Sequence, residues 1–167
     1  MLPMWIKTAA ALAVFAAGGL LGMEYARRID ARCDALQDAL LLLRLVRIRT
    51  ERAHSLWLCE IAAAARDGSF RQLHFPESIR EDEDRQAALH RFLCAADEKH
   101  LLGAETDLVQ NALECAVTRA ETAVKLDYYI QLLQQRLEGV HRAAQNNKAF
   151  FARLGWMGGA LLAVILW

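Results

Sequence analysis

Proline, paired cysteines and nucleotide-binding glycine loops are scarce or absent in this chain of 167 residues. Only Pro3 and Pro76 are present, and neither interrupts the middle of an apolar periodic run. The 4 cysteines are scattered without CxxC spacing, which favours reduced, packed side chains over a disulfide framework. Because no GxxxxGK[ST] loop occurs, the chain is not itself an NTPase. Alanine and leucine dominate what remains, so we predict an almost entirely helical protein.

Motifs that carry chemistry are also lacking. His90 and Cys94 share one helical face, but a structural zinc site uses four ligands in tighter, paired spacing. No nucleophile or nucleotide signature has the context that it requires. We therefore predict that the chain is not an enzyme and has no catalytic residue, metal or cofactor. The weakest alternative is a membrane enzyme that uses Glu24 or the pair of His90 and Cys94.

Charge is absent from most of two apolar stretches, one at each end of the chain. Residues 8 to 23 contain no charged side chain and, with Trp5 and Ile6, are long enough to cross a hydrocarbon core of about 30 Å. The second stretch, 150 to 167, holds Arg153 before an uninterrupted apolar run, which can span only with little tilt or local thinning. We predict transmembrane helices at 1–23 and at 154–167, the latter starting as early as 150, around a domain at 24–153.

Basic residues flank both stretches on their inner side. They are Arg27, Arg28 and Arg32 after the first stretch, and Arg142, Lys148 and Arg153 around the start of the second. Lys and Arg accumulate on the cytoplasmic side of membrane segments, so the domain should be cytoplasmic with both termini outside. Arg27, Arg28 and Arg32, directly after the first stretch, form a stop-transfer pattern, which argues against the alternative of a cleaved signal peptide.

Each apolar stretch contains a GxxxG pair. Small residues at this spacing let two helix backbones approach closely. In an antiparallel hairpin the two pairs lie at similar depth, so we predict that Gly22 faces Gly155 and that Gly18 faces Gly159. The alternative is that glycine is simply common in membrane helices.

The domain between the stretches carries nearly all of the charge, including all 20 acidic residues. Its near-neutral balance argues against nucleic acid as a partner, because that binding depends on basic patches. Apolar residues spaced by threes and fours predict four helices. They run from the first stretch to about Val46, from Thr50 to Asp67, from Ser78 or Asp82 to Leu102, and from about Leu113 into the second stretch. The predicted apolar stripes are Ile29, Cys33, Leu36, Leu40, Leu43 and Val46 or Arg47 on the first helix, Ala53, Leu56, Trp57, Glu60, Ile61 and Ala64 on the second, and Leu89, Phe92, Leu93 and Ala96 on the third. The predicted fold class is all-α, an antiparallel helical bundle between N- and C-terminal transmembrane helices.

Residues 67–78 include Gly68 and Pro76 and predict a loop. We expect this loop to pack Phe70, Leu73 and Phe75 onto the bundle.

Two charged clusters are candidates for binding a partner. The basic cluster is Arg44, Arg47, Arg49 and Arg52, and the acidic run is Glu81, Asp82, Glu83 and Asp84. The basic cluster lies in the first half of the domain, whereas residues 77–127 hold 12 acidic and 6 basic residues. This asymmetry either orients a charged partner or pairs the two halves of the domain internally. The acidic run also suits the positive first turn of a helix. If the basic cluster binds a partner, reversing Arg47 and Arg49 to Glu should weaken recruitment without unfolding the domain.

Two segments resemble a known family. The exit from the first stretch, GGLLGMEYARRIDARCDALQDALLLLRLV, and the C-terminal NNKAFFARLGWMGGALLAVILW look like stage III sporulation protein AB of endospore-forming bacteria. The resemblance covers the whole length. Its most specific parts are the glycine pair before Met-Glu-x-Ala-Arg-Arg, the helix with Leu36, Leu40 and Leu43, and the entry from Leu154 to Gly159. The centre departs from the family, because RLVRIRTERAHS replaces an acidic turn and a Gly-Thr-Pro-like break.

The resemblance implies a non-enzymatic component of the sporulation-specific, secretion-like channel complex at the boundary between mother cell and forespore. The protein would lie in the mother-cell membrane around the forespore, with a domain similar to the cytoplasmic domains of F-type platform proteins of type II secretion. Implied partners are a cytosolic secretion-type ATPase, stage III sporulation protein AA, and other stage III A components. The competing interpretation is a membrane-anchored helical scaffold that acts by homo-oligomerisation and is unrelated to sporulation.

Overall fold

Helices make up most of the residues that the structure, a computed structural model, describes: 4–52, 57–79, 84–117 and 122–166. The elements are α1 (Met4–Arg52), α2 (Leu58–Asp67), α3 (Arg85–Ala96), a 3-10 turn (Gly103–Glu105), α4 (Thr106–Val117) and α5 (Thr122–Leu166). These ranges contain no β-strand. The predicted all-α class is therefore confirmed.

The chain divides into two compact units, and the larger one has an extensive apolar core. Unit 1 comprises 1–30 and 140–167, and unit 2 comprises 31–139. In unit 2 every helix contributes large side chains that are fully buried: Leu36, Leu42, Leu43, Val46, Ile61, Leu89, Leu93, Leu102, Val109, Leu113, Leu126 and Leu133. The apolar stripe predicted on the first helix is buried from Cys33 to Val46, and Ile29 at its start is half-buried. Burial on this scale removes a large apolar area from water and stabilises the unit.

The boundary between α1 and α2 lies later than the sequence pattern predicts. α1 continues through Thr50, whose hydroxyl donates a hydrogen bond to the carbonyl oxygen of Arg47 at 2.7 Å. α2 begins only at Leu58, because the carboxylate of Glu60 accepts the backbone N–H of Trp57 at 2.8 Å and caps the helix there. Trp57, predicted to lie on the apolar stripe, is exposed. The first turn of the predicted second helix, 53–56, lies outside the described residues.

A buried carboxylate holds the loop that follows α2. One oxygen of Asp38, on α1, accepts the backbone N–H groups of Arg71, Gln72 and Leu73 at 2.9, 2.7 and 3.0 Å. Asp38 is only 4% exposed. Since three donors need a partner when the loop packs, this carboxylate allows Leu73 to enter the core.

Aromatic contacts complete the packing of the same loop, as predicted. The rings of Phe70 and Phe75 lie 4.8 Å apart, and Phe75 stacks on Phe92 of α3 at 5.4 Å. α2 ends at Asp67, and a Cβ at Gly68 would lie 2.3 Å from the ring of Phe70. Glycine suits this position because the ring occupies the space of a side chain, and a larger residue would have to displace that ring.

The third predicted helix is shorter than its sequence pattern indicates. α3 ends at Ala96 rather than Leu102, because the buried carboxylate of Asp97 accepts the N–H groups of Leu101 and Leu102 at 2.7 and 2.8 Å. The chain turns at this cap before α4, which packs against α3. The predicted last helix corresponds to the end of α4 and to α5, and 118–121 lie outside the described residues.

Unit 1 pairs the first part of α1 with the last part of α5. The rings of Phe15 and Trp156 lie 4.8 Å apart with an interplanar angle of 54°. A Cβ at Gly19 would stand 2.9 Å from the Trp156 ring. The indole therefore lies directly over the glycine backbone of α1, a close approach that any larger residue would prevent.

Candidate membrane and partner-binding surfaces

Unit 1 buries small residues and exposes large apolar ones. Gly19, Gly22 and Ala26 form the buried side of α1. The large apolar residues that are half or more exposed are Leu12, Leu20, Leu21, Phe150, Leu154, Met157, Leu161 and Val164. Burying one such side chain is worth roughly 1.5–3 kcal/mol in water, so this distribution is the reverse of that expected for a soluble core. It is typical of helices that pack through small residues and face lipid.

α1 is long and apolar enough to cross a membrane. The candidate segment lies within Ala9–Glu51, with a mean hydropathy of 1.5, and most of it is exposed. Among the described residues no other helix meets the same criteria. The predicted second span lies in α5, which continues to Leu166, and it stays a prediction.

The predicted glycine pairs are placed only in part. Gly18 is half-buried and Gly22 is buried on α1. Gly155 and Gly159 lie in α5, but their surroundings are outside the described features, so the pairing of Gly22 with Gly155 and of Gly18 with Gly159 stays a prediction. Sequence reasoning missed the contact of Gly19 with Trp156. The available signal was a large aromatic residue beside the second glycine pair.

Two members of the basic cluster bind acids of the same chain. The guanidinium of Arg47 donates from Nε to Oδ1 of Asp127 at 2.8 Å and from Nη1 to Glu51 at 2.9 Å. The hydrogen bond to Asp127 raises the pKa of the Arg47 guanidinium above its ordinary value. Arg49 forms an ion pair with Asp67 at the end of α2. For Arg47 the structure shows the internal pairing with the acidic half of the domain that the sequence left as one of two alternatives, whereas Arg49 pairs with an acid of α2.

Arg44 differs from its neighbours in the cluster. It is exposed on α1 and forms no ion pair with any residue in the described part of the chain. Exposed Leu41 and Ile48 lie on either side of it at helical spacing. Apolar side chains around an unpaired cation form a surface that an acidic partner can contact. The side chain of Arg52 lies outside the described features.

The acidic run is mostly beyond the described residues. Glu81, Asp82 and Glu83 fall in the gap at 80–83. Asp84 is exposed and directly precedes α3, where its side chain makes no capping hydrogen bond. Its position suits the favourable interaction of a carboxylate with a helix N-terminus.

A cavity lies beside α3. It has a volume of about 250 Å³ and is lined mainly by apolar residues, with Ser78 and Arg91 as its polar side chains. No three His, Cys, Asp or Glu side chains are grouped to hold a metal in the described ranges. The cavity therefore lacks the pair of nucleophile and base that covalent catalysis requires.

No family model, no curated protein and no solved structure matches this chain. Its function is accordingly inferred from its own surfaces, charges and sequence segments.

Proposed function

We propose that this protein is a non-enzymatic membrane component of the sporulation channel complex that links a cytosolic secretion-type ATPase to the membrane assembly. The observation that carries the membrane part is the outward placement of large apolar side chains on both helices of unit 1. In a membrane, lipid tails cover such side chains, so their apolar surface is not exposed to water. In this proposal both apolar segments cross the membrane as a hairpin, and unit 2 is an antiparallel helical bundle.

The charges support a cytoplasmic position for unit 2. Arg27 and Arg28 are exposed on α1 directly after its apolar part, and Arg142 is exposed on α5 before the second apolar segment. Arginines in these positions favour retention on the cytoplasmic side. The mother-cell membrane around the forespore is the location that the resemblance to stage III sporulation protein AB implies.

The contacts of α1 support a coupling role. α1 is one continuous helix from Met4 to Arg52, so it contains both the apolar segment and Arg44. The Arg47–Asp127 ion pair joins α1 to α5 within unit 2. A partner that binds at Arg44 would therefore act on a helix that is directly tied to α5. An ATPase surface that carries carboxylates would complement an exposed arginine flanked by apolar residues.

Deletion of the gene in the source organism tests this proposal. We expect endospore formation to stop after engulfment with a collapsed forespore, because channel assembly would lack its link to the ATPase. Microscopy of the deletion strain measures the stage of arrest. Normal spores would contradict the proposal and favour the homo-oligomeric scaffold.

Complementation of the same strain tests the assigned face. Arg44→Glu should fail to restore spores, whereas Arg136→Glu should restore them, because Arg136 is an exposed arginine of α5 that does not belong to the basic cluster. Both variants must reach the membrane in wild-type amounts by immunoblot. Restoration by Arg44→Glu would place the ATPase contact elsewhere. Arg44 is a sharper probe than Arg47 or Arg49, whose reversal also breaks internal ion pairs.

A further inference from the structure

We propose that His90 and Cys94 form a two-ligand site for a divalent cation of the Zn²⁺ class on the exposed face of α3. The two residues lie one helical turn apart, and both side chains are exposed. Imidazole nitrogen and thiolate sulfur are ligands that zinc and related borderline ions prefer. This site differs from a four-ligand structural zinc site and does not depend on the proposed function.

The side chains of His90 and Cys94 are in contact one helical turn apart. Sγ of Cys94 lies 3.6 Å from Nδ1 and 3.7 Å from Nε2 of His90, so it faces the ring between the two nitrogens. In a tetrahedral site, with Zn–S of about 2.3 Å and Zn–N of about 2.0–2.1 Å, the sulfur and one nitrogen are separated by about 3.5–3.6 Å. The imidazole must therefore rotate to direct one nitrogen lone pair at a shared ion, and rotation of this exposed side chain needs no change of backbone.

The position along α3 also favours a cation. α3 spans Arg85–Ala96, so Cys94 lies in its last turn. The helix dipole and the unpaired carbonyl groups place partial negative charge at this end, which attracts positive charge. Arg91, the nearest cation in sequence, lines the cavity with Pro76 and Ile79.

Binding of the ion requires no other reactant than water. The Cys94 thiol loses its proton to solvent, and the thiolate and one neutral ring nitrogen of His90 coordinate the ion. Because both side chains are exposed, water molecules can fill the remaining two positions.

Cys59 is a matched control within the same chain. It is an exposed free cysteine on α2, and the structure gives it no imidazole contact among the described residues. A single exposed thiol cannot chelate an ion, so Cys59→Ser should leave the site intact.

Titration of the reduced full-length chain in detergent with Co²⁺ tests the proposal, because a thiolate bound to cobalt gives a charge-transfer absorption band. We expect this band to saturate at one ion per chain and to be reversed by Zn²⁺. Cys94→Ser should abolish the band. His90→Ala should weaken apparent affinity at least roughly tenfold, since even changes outside the ligand shell cost 10- to 100-fold. Cys59→Ser should match the wild type.

A stoichiometry of one ion per two chains would also support the site, with a second copy supplying the other two ligands. The proposal is overturned if the wild type gives no band, or if the band survives unchanged in Cys94→Ser or in His90→Ala. Circular dichroism of each variant checks that α3 and the rest of the helices remain folded.

Discussion

At the scale of single residues, the carboxylate of Asp38 accepts hydrogen bonds that the loop after α2 would otherwise donate to water. Its one oxygen accepts three successive backbone N–H groups, from Arg71 to Leu73. Asp34, one turn earlier on α1, contacts the same loop differently, through an ion pair with Arg71 at 3.8 Å. The two acids therefore separate a buried hydrogen-bonding role from a surface electrostatic one.

Asp38→Ala should lower the free energy of unfolding by about 2–4 kcal/mol, because each unsatisfied buried donor costs about 1–3 kcal/mol and part of the loop can regain water. Asp34→Ala is the control and should cost less than about 1 kcal/mol, the usual limit for an exposed ion pair. Denaturant unfolding in detergent, followed by circular dichroism, measures both. Equal losses in the two variants would contradict the role assigned to Asp38.

At the scale of elements, the pairing of α1 with α5 in unit 1 depends on close approach at Gly19. The Trp156 ring fills the space that a side chain at Gly19 would need. Gly158, on α5, is different because a Cβ there would meet no atom of the described side chains and backbone within 4 Å. These two glycines allow the same substitution to be compared at a packed and an open position.

Gly19→Leu should displace Trp156 and destabilise the pairing of the two helices by about 1–3 kcal/mol, the usual cost of overpacking. The emission of Trp156 reports the displacement when Trp5, Trp57 and Trp167 are replaced by Phe in every variant compared. Gly158→Leu should leave both emission and stability near those of the parent. An unchanged emission in Gly19→Leu would show that the contact does not hold the helices together.

The element boundaries show where sequence patterns succeed. The buried stripe of α1 and the apolar face of α3 were predicted because their spacing reflects burial within one helix. The start of α2 and the end of α3 were not, because they depend on Glu60 and Asp97 accepting particular backbone N–H groups. An acidic residue near a helix end does not reveal by itself which backbone groups it will meet.

At the scale of the whole molecule, the proposed function requires that unit 2 lies on the cytoplasmic side of the membrane. The exposed cysteines Cys59 and Cys94 lie in unit 2 and can report its side of the membrane. The arginines after the first apolar segment predict that this side is cytoplasmic.

In intact cells that express the chain, a membrane-impermeant maleimide should not label Cys59 or Cys94, and it should label both after permeabilisation. A cysteine appended after Trp167, in a variant lacking the native cysteines, should be labelled without permeabilisation. Mass spectrometry of the purified protein identifies the labelled positions. Labelling of Cys94 from outside would reverse the predicted topology.

The sequence alone determined the helical class, the apolar N-terminal segment and the buried stripe of α1, because composition and periodicity act within one element. Only the tertiary structure decided which charges are paired, that Trp156 lies on Gly19, and that Asp38 holds the loop. Arg47 and Asp127 are 80 residues apart, and Asp38 and Leu73 are 35 apart. Contacts at such separations depend on how the helices pack, since the local spacing of residues carries no information about which distant partner a side chain will meet.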